Sequence, residues 1–159
     1  MRSVQIKNCL YDSGIIRFEN NKLSFSKRAF EINESLPFME GFLNYFARYF
    51  HYLEFDLIVP LENDVISLKL ALNLSKKLKK EIVFVPEYCT RKGILIPVGY
   101  LDQKKFQEIK DYIKLIKPKN VIIGTFLTSI ENRNKNIRIK ALIDEKTFRS
   151  FFPEKTTAC

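Results

Sequence analysis

Phe55-Asp-Leu-Ile-Val-Pro60 is short, apolar and β-branched, the composition of a strand buried on both faces. From Asp64 to Leu78 the period changes to that of a helix. Val65, Leu68 and Leu72 mark one face, Ile66, Leu70 and Leu74 lie beside it, and Lys69, Lys76, Lys77 and Lys80 supply a wet side. Glu81-Ile-Val-Phe-Val-Pro86 then reads as a second buried strand. Strand, helix and strand in so short a span make a βαβ unit, and therefore a largely parallel sheet.

The alternation continues on both sides. After Pro86 comes a loop, Glu87-Tyr-Cys-Thr-Arg-Lys-Gly93, and then Ile94-Leu-Ile-Pro-Val98; together they predict a flexible hairpin. Asp102 is placed to cap a helix striped by Phe106, Ile109, Ile113 and Ile116 and stopped by Pro118. Asn120-Val-Ile-Ile-Gly124 is a third buried strand, a short helix is expected near Thr128, and Ile137 to Ile143 is a fourth strand. Asp144 is expected to cap a last turn through Phe151 and Phe152, ahead of a frayed tail. On the other side, Phe38, Phe42, Tyr45, Phe46 and Tyr49 form the stripe of a helix that starts at Pro37 and should end near His51 or Tyr52. Residues 1–36 read as short, irregular strands, among them the alternating Leu23-Ser-Phe-Ser. The expectation is one domain over 1–159: a small hood (1–36), a core (37–152) and a tail (153–159).

The composition fits one globular domain: 159 residues, 46% hydrophobic. The formal net charge of +9 favours polyanions, although the lysines are dispersed through amphipathic segments, which solubility alone explains. The chain has 14 Phe, 7 Tyr and no Trp, enough to fill a core and still reach a partner surface. On the helix from Phe38 the aromatics spread round much of the circumference, so one group is expected to face the core and the other a second copy in a homodimer. Cys9, Cys89 and Cys159 lack metal or redox spacing and fit reduced thiols in a cytoplasmic setting. Met1 to Lys7 has no apolar run, so no signal peptide is expected, and no apolar run approaches a membrane span.

The order of elements resembles the phosphoribosyltransferase fold, nearest the orotate-using type. Tyr11-Asp-Ser-Gly-Ile-Ile-Arg-Phe18 is similar to that family's opening, a short helix leading into Gly, an apolar pair and Phe. Leu23-Ser-Phe-Ser-Lys-Arg28 stands where the family has an apolar strand running into Ser-Gly, and Phe55 to Pro60 resembles its first core strand. The resemblance implies an α/β domain, a mostly parallel sheet flanked by helices under an N-terminal hood. For an active member it also implies diphosphoribosyl diphosphate, Mg²⁺ and a base.

The family's three functional loops each depart. The diphosphate loop carries glycines in the family, so that backbone amides approach the anion. Here it reads Leu61-Glu-Asn-Asp-Val65, with no Gly and two carboxylates. The paired acids that take the ribose hydroxyls are replaced by Gly124 and Thr125 when the motif is laid on Val121 to Glu131, while Thr128 and Ser129 match the start of the phosphate loop. Of the basic catalytic loop only Arg91-Lys92-Gly93 remains.

The candidate ligand residues are therefore Thr125, Thr128 and Ser129, and the candidate catalytic residues Arg91 and Lys92. Each has a simpler account. Thr128 with Glu131 forms a capping box. Arg91 and Lys92 suit a solvated hairpin tip. Glu62 and Asp64 suit Mg²⁺ or a helix N-terminus, and His51 and the run Lys76-Lys77-Leu-Lys79-Lys80 suit helix C-termini. No P-loop, dinucleotide fingerprint or nucleophile–base pattern is present. The expected function is an orotate phosphoribosyltransferase-like protein with eroded motifs, acting as a nucleotide- or phosphate-binding or regulatory module. The alternatives are a divergent active transferase using Mg²⁺, and a basic nucleic-acid-binding protein without sequence specificity.

Overall fold

The computed structural model describes residues 3–20, 22–84, 89–131 and 136–145. In chain order the elements are α1 (Ser3–Asp12), β1 (Ile16–Glu19), β2 (Lys22–Phe25), α2 (Lys27–Asn33), α3 (Pro37–Arg48), β3 (Leu57–Ile58), α4 (Val65–Leu78), β4 (Glu81–Ile82), β5 (Gly93–Leu101), α5 (Gln103–Ile116), β6 (Asn120–Thr128) and β7 (Ile137–Asp144). Strands β1 and β2 pair antiparallel; the other five form one parallel sheet in the order β4-β3-β5-β6-β7. This is an α/β domain with a parallel sheet and an N-terminal hood, as the sequence implies.

Side chains alternate across the sheet as the period-2 pleat requires. Leu57, Val59, Ile94, Ile96, Val98, Val121 and Ile123 meet Phe106, Ile109 and Ile116 of α5 on one face. Ile58, Leu95 and Ile122 meet α3, α4 and the hood on the other. Strand β6 carries Phe126 into that second core. Its ring lies with centroids 4.5 Å from Phe42, 4.8 Å from Phe46, 5.8 Å from Phe30 and 5.9 Å from Phe25. One ring thus joins the hood, α3 and the sheet.

Several local expectations are corrected. Residues 1–36 hold two helices besides the hairpin. Helix α1 buries Ile6 and Leu10 one turn apart, and the seven-residue α2 is capped by Ser26, whose Oγ accepts the Ala29 amide at 3.1 Å. Both are too short for the polar-interrupted pattern to reveal a period. Helix α3 ends at Arg48, short of His51. The supposed hairpin after residue 87 is instead β5, a nine-residue strand buried along almost its whole length, in parallel register with β3 and β6. Pro97 and Gly99 are residues that ordinarily favour turns. In the sheet, Pro97 offers its carbonyl to Ser67, and at Gly99 an added Cβ would lie 2.8 Å from the Phe25 ring. Thr128 ends a strand rather than starting a helix, and its Oγ1 accepts the Ile130 amide. The expected turn through Phe152, and the tail, lie outside the described residues.

The helix faces are also reassigned. Helix α4 buries Ile66, Ser67, Leu70, Ala71 and Leu74, while Val65, Leu68 and Leu72 face outward. On α3 and the turn after it the aromatic surplus is mostly spent inside: Phe42, Phe46 and Phe50 are buried, and Phe38 and Tyr45 half-buried. Tyr49 remains partly exposed, edge-on to Tyr45, and burial together with its hydrogen bond to Tyr45 pushes its hydroxyl pKa up to about 12.

Candidate functional site

In a parallel sheet of order β4-β3-β5-β6-β7 the chain winds outward in both directions from the gap between β3 and β5. Ligands of open α/β sheets bind at that gap, beyond the carboxyl ends of the strands. Two loops meet there, each leading into a helix.

After β3, Val59, Pro60 and Leu61 stay buried, and Asn63 takes a left-handed conformation (φ 60°) that turns the chain into α4. Ser67 braces this loop, accepting the Leu61 amide at 2.8 Å and donating to the Pro97 carbonyl at 2.5 Å. Asp64 caps α4, its Oδ1 accepting the Ser67 amide at 3.0 Å. After β5, Asp102 does the same for α5, accepting the Lys105 amide at 2.7 Å. The ammonium of Lys105 then reaches back across the gap to Oδ2 of Asp64 at 3.0 Å, with Glu108 at 3.6 Å. Burial works against the Lys105 charge, but the hydrogen bond and charge of Asp64, with help from Glu108, outweigh it and hold its pKa above the ordinary lysine value.

A crevice of about 310 Å³ opens at this point, with Phe25 and Lys27 of the hood above and Asn63, Gly99, Tyr100 and Asp102 below. It adjoins a wider hollow of about 620 Å³ that shares Tyr100 and Asp102 and adds Asn20, Lys22, Gln103, Lys104, Ser129 and the carboxylate of Glu145. The chemistry offered is mixed. Lysines and a phenol line the rim, but a carboxylate already sits on each helix N-terminus, where an anion would take the backbone amides.

The residues singled out in the sequence are not gathered here. Of the candidate ligand and catalytic residues Ser129 alone faces the hollow, with its Oγ 3.4 Å from the Tyr100 hydroxyl. Thr128 is buried and donates to the Leu101 carbonyl at 3.0 Å. Thr125 is fully buried, its hydroxyl 2.9 Å from the Leu127 carbonyl oxygen and 3.2 Å from that of Gly99. Arg91 and Lys92 precede β5, so they stand at the amino edge of the sheet. There the Arg91 amide bonds Lys117 O and Lys92 O takes the Lys119 amide. Eight strand steps of ~3.3 Å, roughly 26 Å, separate that edge from Leu101. Sequence reading missed Tyr100, Lys105 and the hood residues Phe25 and Lys27. The usable signal was Asp102, recognised as a cap, since a cap directly after a strand marks a carboxyl edge.

No family model and no curated protein sequence matches the chain. Solved structures do. A UMP synthase from Leishmania donovani superposes with a TM-score of 0.70 at 13% identity, over 99% of this chain and 39% of that one. The chain therefore spans about two fifths of that protein's length. An orotate phosphoribosyltransferase from Aeropyrum pernix gives 0.62 at 9% identity, over 94% and 98% of the two chains. An adenine phosphoribosyltransferase from Trypanosoma brucei, in complex with AMP, pyrophosphate and ribose-5-phosphate, gives 0.61 at 10% identity, over 89% and 80%. At these identities it is the architecture that is shared, and the chain has the phosphoribosyltransferase fold.

Proposed function

We propose that the chain is a phosphoribosyltransferase-fold module that binds a ligand without transferring a phosphoribosyl group. The observation that carries this is the pair of aspartates at the switch point. Asp64 and Asp102 satisfy the helix N-termini with their own carboxylates, and Lys105 locks the loops together. A diphosphate entering the crevice would meet like charge a few ångströms away in a partly dried site, where repulsion is strong. What affinity remains comes from the rim lysines 22, 27 and 104 and suits a singly phosphorylated ribose or nucleotide, held weakly. The adenine-using neighbour holds AMP, pyrophosphate and ribose-5-phosphate, which supports a phosphorylated ligand, while the choice of a singly phosphorylated one rests on the two aspartates.

Mg²⁺ belongs to the alternative reading, a divergent active transferase. Its natural donors in this loop would be Glu62 and Asp64. Both Asp64 oxygens are already bonded, to the Ser67 amide and to Lys105. Among the described residues no group of three metal-binding side chains lies together. The donor set does not fit a resident ion, and no step is drawn through one.

Calorimetric titration with diphosphoribosyl diphosphate and Mg²⁺ tests the proposal. The unmodified protein is expected to give no saturable heat in the micromolar range. Asp102→Asn retains the cap, since Asn caps as well as Asp, but removes the charge, and should tighten binding. Micromolar saturation by the unmodified protein would favour the active transferase instead.

The same proposal includes a homodimer and a cytoplasmic, reducing setting, the latter supported by the free thiols Cys9 and Cys89. No helix among the described residues is long and apolar enough to cross a membrane. Nucleic-acid binding is expected to be weak and non-specific. Lys69, Lys77 and Lys105 are already paired with carboxylates, which leaves dispersed charge without a reading element. A gel shift should show complexes at low salt that vanish by ~200 mM; a sequence-selective complex surviving that salt would overturn the ranking.

A further inference from the structure

A cleft of about 550 Å³ lies beside the crevice and shares Asn63, Asp64 and Val65 with it. Where the crevice turns to the hood, the cleft turns to Phe84, after β4, and to Tyr112 of α5. The rest of its wall is aliphatic: Pro60, Leu61, Val65 and Leu68. Val65 is 43% exposed, Leu68 37% and Phe84 61%, while α4 feeds the core from a separate face. A volume within ~300–1,000 Å³ and an apolar lining with a few polar groups are the marks of a small-molecule site.

The polar groups decide which molecule. In a chain with a net charge of +9, no lysine or arginine stands among the described lining residues, but Glu62 and Asp64 do. Asp64 is already answered, by the Ser67 amide and by Lys105. Glu62 pairs with no cation among the described residues. Burial, with Cys89 and Glu62 adding to it, holds the Tyr112 hydroxyl above the ordinary tyrosine pKa, so the ring opposite Glu62 is a neutral phenol.

Three kinds of occupant fail on these grounds. An anion would be repelled by Glu62. A neutral apolar molecule would cover the Glu62 carboxylate and leave it without water or partner. A metal ion would lack a third donor, since no group of three metal-binding side chains lies together among the described residues. A molecule that is apolar in its body and cationic at one end satisfies every part of the lining. Its charge meets Glu62, its body covers the aliphatic wall, and the faces of Phe84 and Tyr112 attract the cation as well.

We propose that this cleft binds a small organic cation, an amine or amidinium on an aromatic or aliphatic body, with the charged end at Glu62 and the body against Val65, Leu68 and Phe84. Its charge preference is opposite to that of the lysine-rimmed crevice, so the inference does not rest on the phosphorylated ligand proposed there.

Phenethylamine and 3-phenylpropionate, similar in shape and opposite in charge, are the probes, and titration followed by protein NMR reads both affinity and place. Phenethylamine should saturate at millimolar concentration or below, shifting the amides of Glu62, Leu68, Phe84 and Tyr112 and leaving those of Lys22 and Lys104 where they are. Phenylpropionate should not saturate. Glu62→Gln should weaken phenethylamine about tenfold, the loss of one charge-assisted hydrogen bond, and Phe84→Ala roughly threefold. Glu62→Lys should exchange the preference, so that phenylpropionate binds and phenethylamine does not. Both positions are exposed, and circular dichroism checks that the variants fold. The proposal is overturned if phenethylamine leaves the cleft amides unshifted, if both probes bind the unmodified protein alike, or if Glu62→Gln binds phenethylamine unchanged.

Discussion

Incubated with orotate, diphosphoribosyl diphosphate and Mg²⁺, the purified protein is expected to form no orotidine monophosphate above the uncatalysed background. Transfer of a phosphoribosyl group passes through a state with positive charge on the sugar and negative charge on the departing diphosphate. A catalyst must hold both with groups already in place. Removing one preorganised donor commonly costs ~2.7–4 kcal/mol of transition-state stabilisation. Here one amide of each helix N-terminus at the switch point, that of Ser67 and that of Lys105, is spent on Asp64 and Asp102. Two such losses amount to roughly 5–8 kcal/mol, or about 10⁴–10⁶ in rate.

Strand β6, aligned in the sequence with the acid pair, does not line the crevice: at Gly124 an added Cβ would stand 2.5 Å from Cζ of Phe50, and Thr125 points into the protein. Steady-state accumulation of orotidine monophosphate that scales with protein concentration would sink this prediction and return the divergent transferase to first place.

What the sequence revealed and what it hid follow from where each kind of signal lies. The βαβ unit from Phe55 was legible because an apolar, β-branched run and an amphipathic helix that repeats its period both leave a readable signal. The buried strand expected over 81–86, however, is an edge strand of two residues, with Glu81 exposed and Ile82 half-buried, and residues 85 and 86 lie outside the described residues. Helices α4 and α5 were placed to within a residue because Asp64 and Asp102 announce their starts and Pro118 one of their ends. The order of elements then pointed to the fold. Strand β5 was misread because Pro97 and Gly99 are turn formers locally, and only the sheet shows their use. Pro97 lends a carbonyl to Ser67, and Gly99 makes room for Phe25. That one misreading displaced the candidate site: with β5 taken as a hairpin, the phosphate loop was sought after β6, at Thr128 and Ser129, instead of after β5. The outward face of α4 was hidden for another reason. Apolar residues occupy both of its faces, and periodicity does not tell which one the core takes.

Phe126→Ala is expected to cost ~3–5 kcal/mol of stability, the range for deleting a large buried aromatic side chain. Phe126 is fully buried and packs against four other rings, two from the hood and two from α3. Each tilted pair adds ~0.5–1.5 kcal/mol beyond burial, so the upper part of the range is expected. A domain of this size has only ~5–15 kcal/mol in total, and the variant should unfold at a markedly lower urea midpoint. The slope of the transition carries further information. Phe25 and Phe30 belong to the hood, and losing their shared partner weakens the contact between hood and sheet more than the sheet itself. If the hood then detaches first, the transition broadens and the apparent m-value falls, because less surface is exposed in the main step. Function follows the same contact. Phe25 and Lys27 form the upper wall of the crevice, so a loosened hood opens the site and weakens whatever it binds. Phe126→Leu keeps most of the volume and should fall well short of the alanine variant in both respects. A midpoint shift for Phe126→Ala worth less than about 1 kcal/mol, or one no larger than that of Phe126→Leu, would mean that the ring cluster does not hold the hood in place.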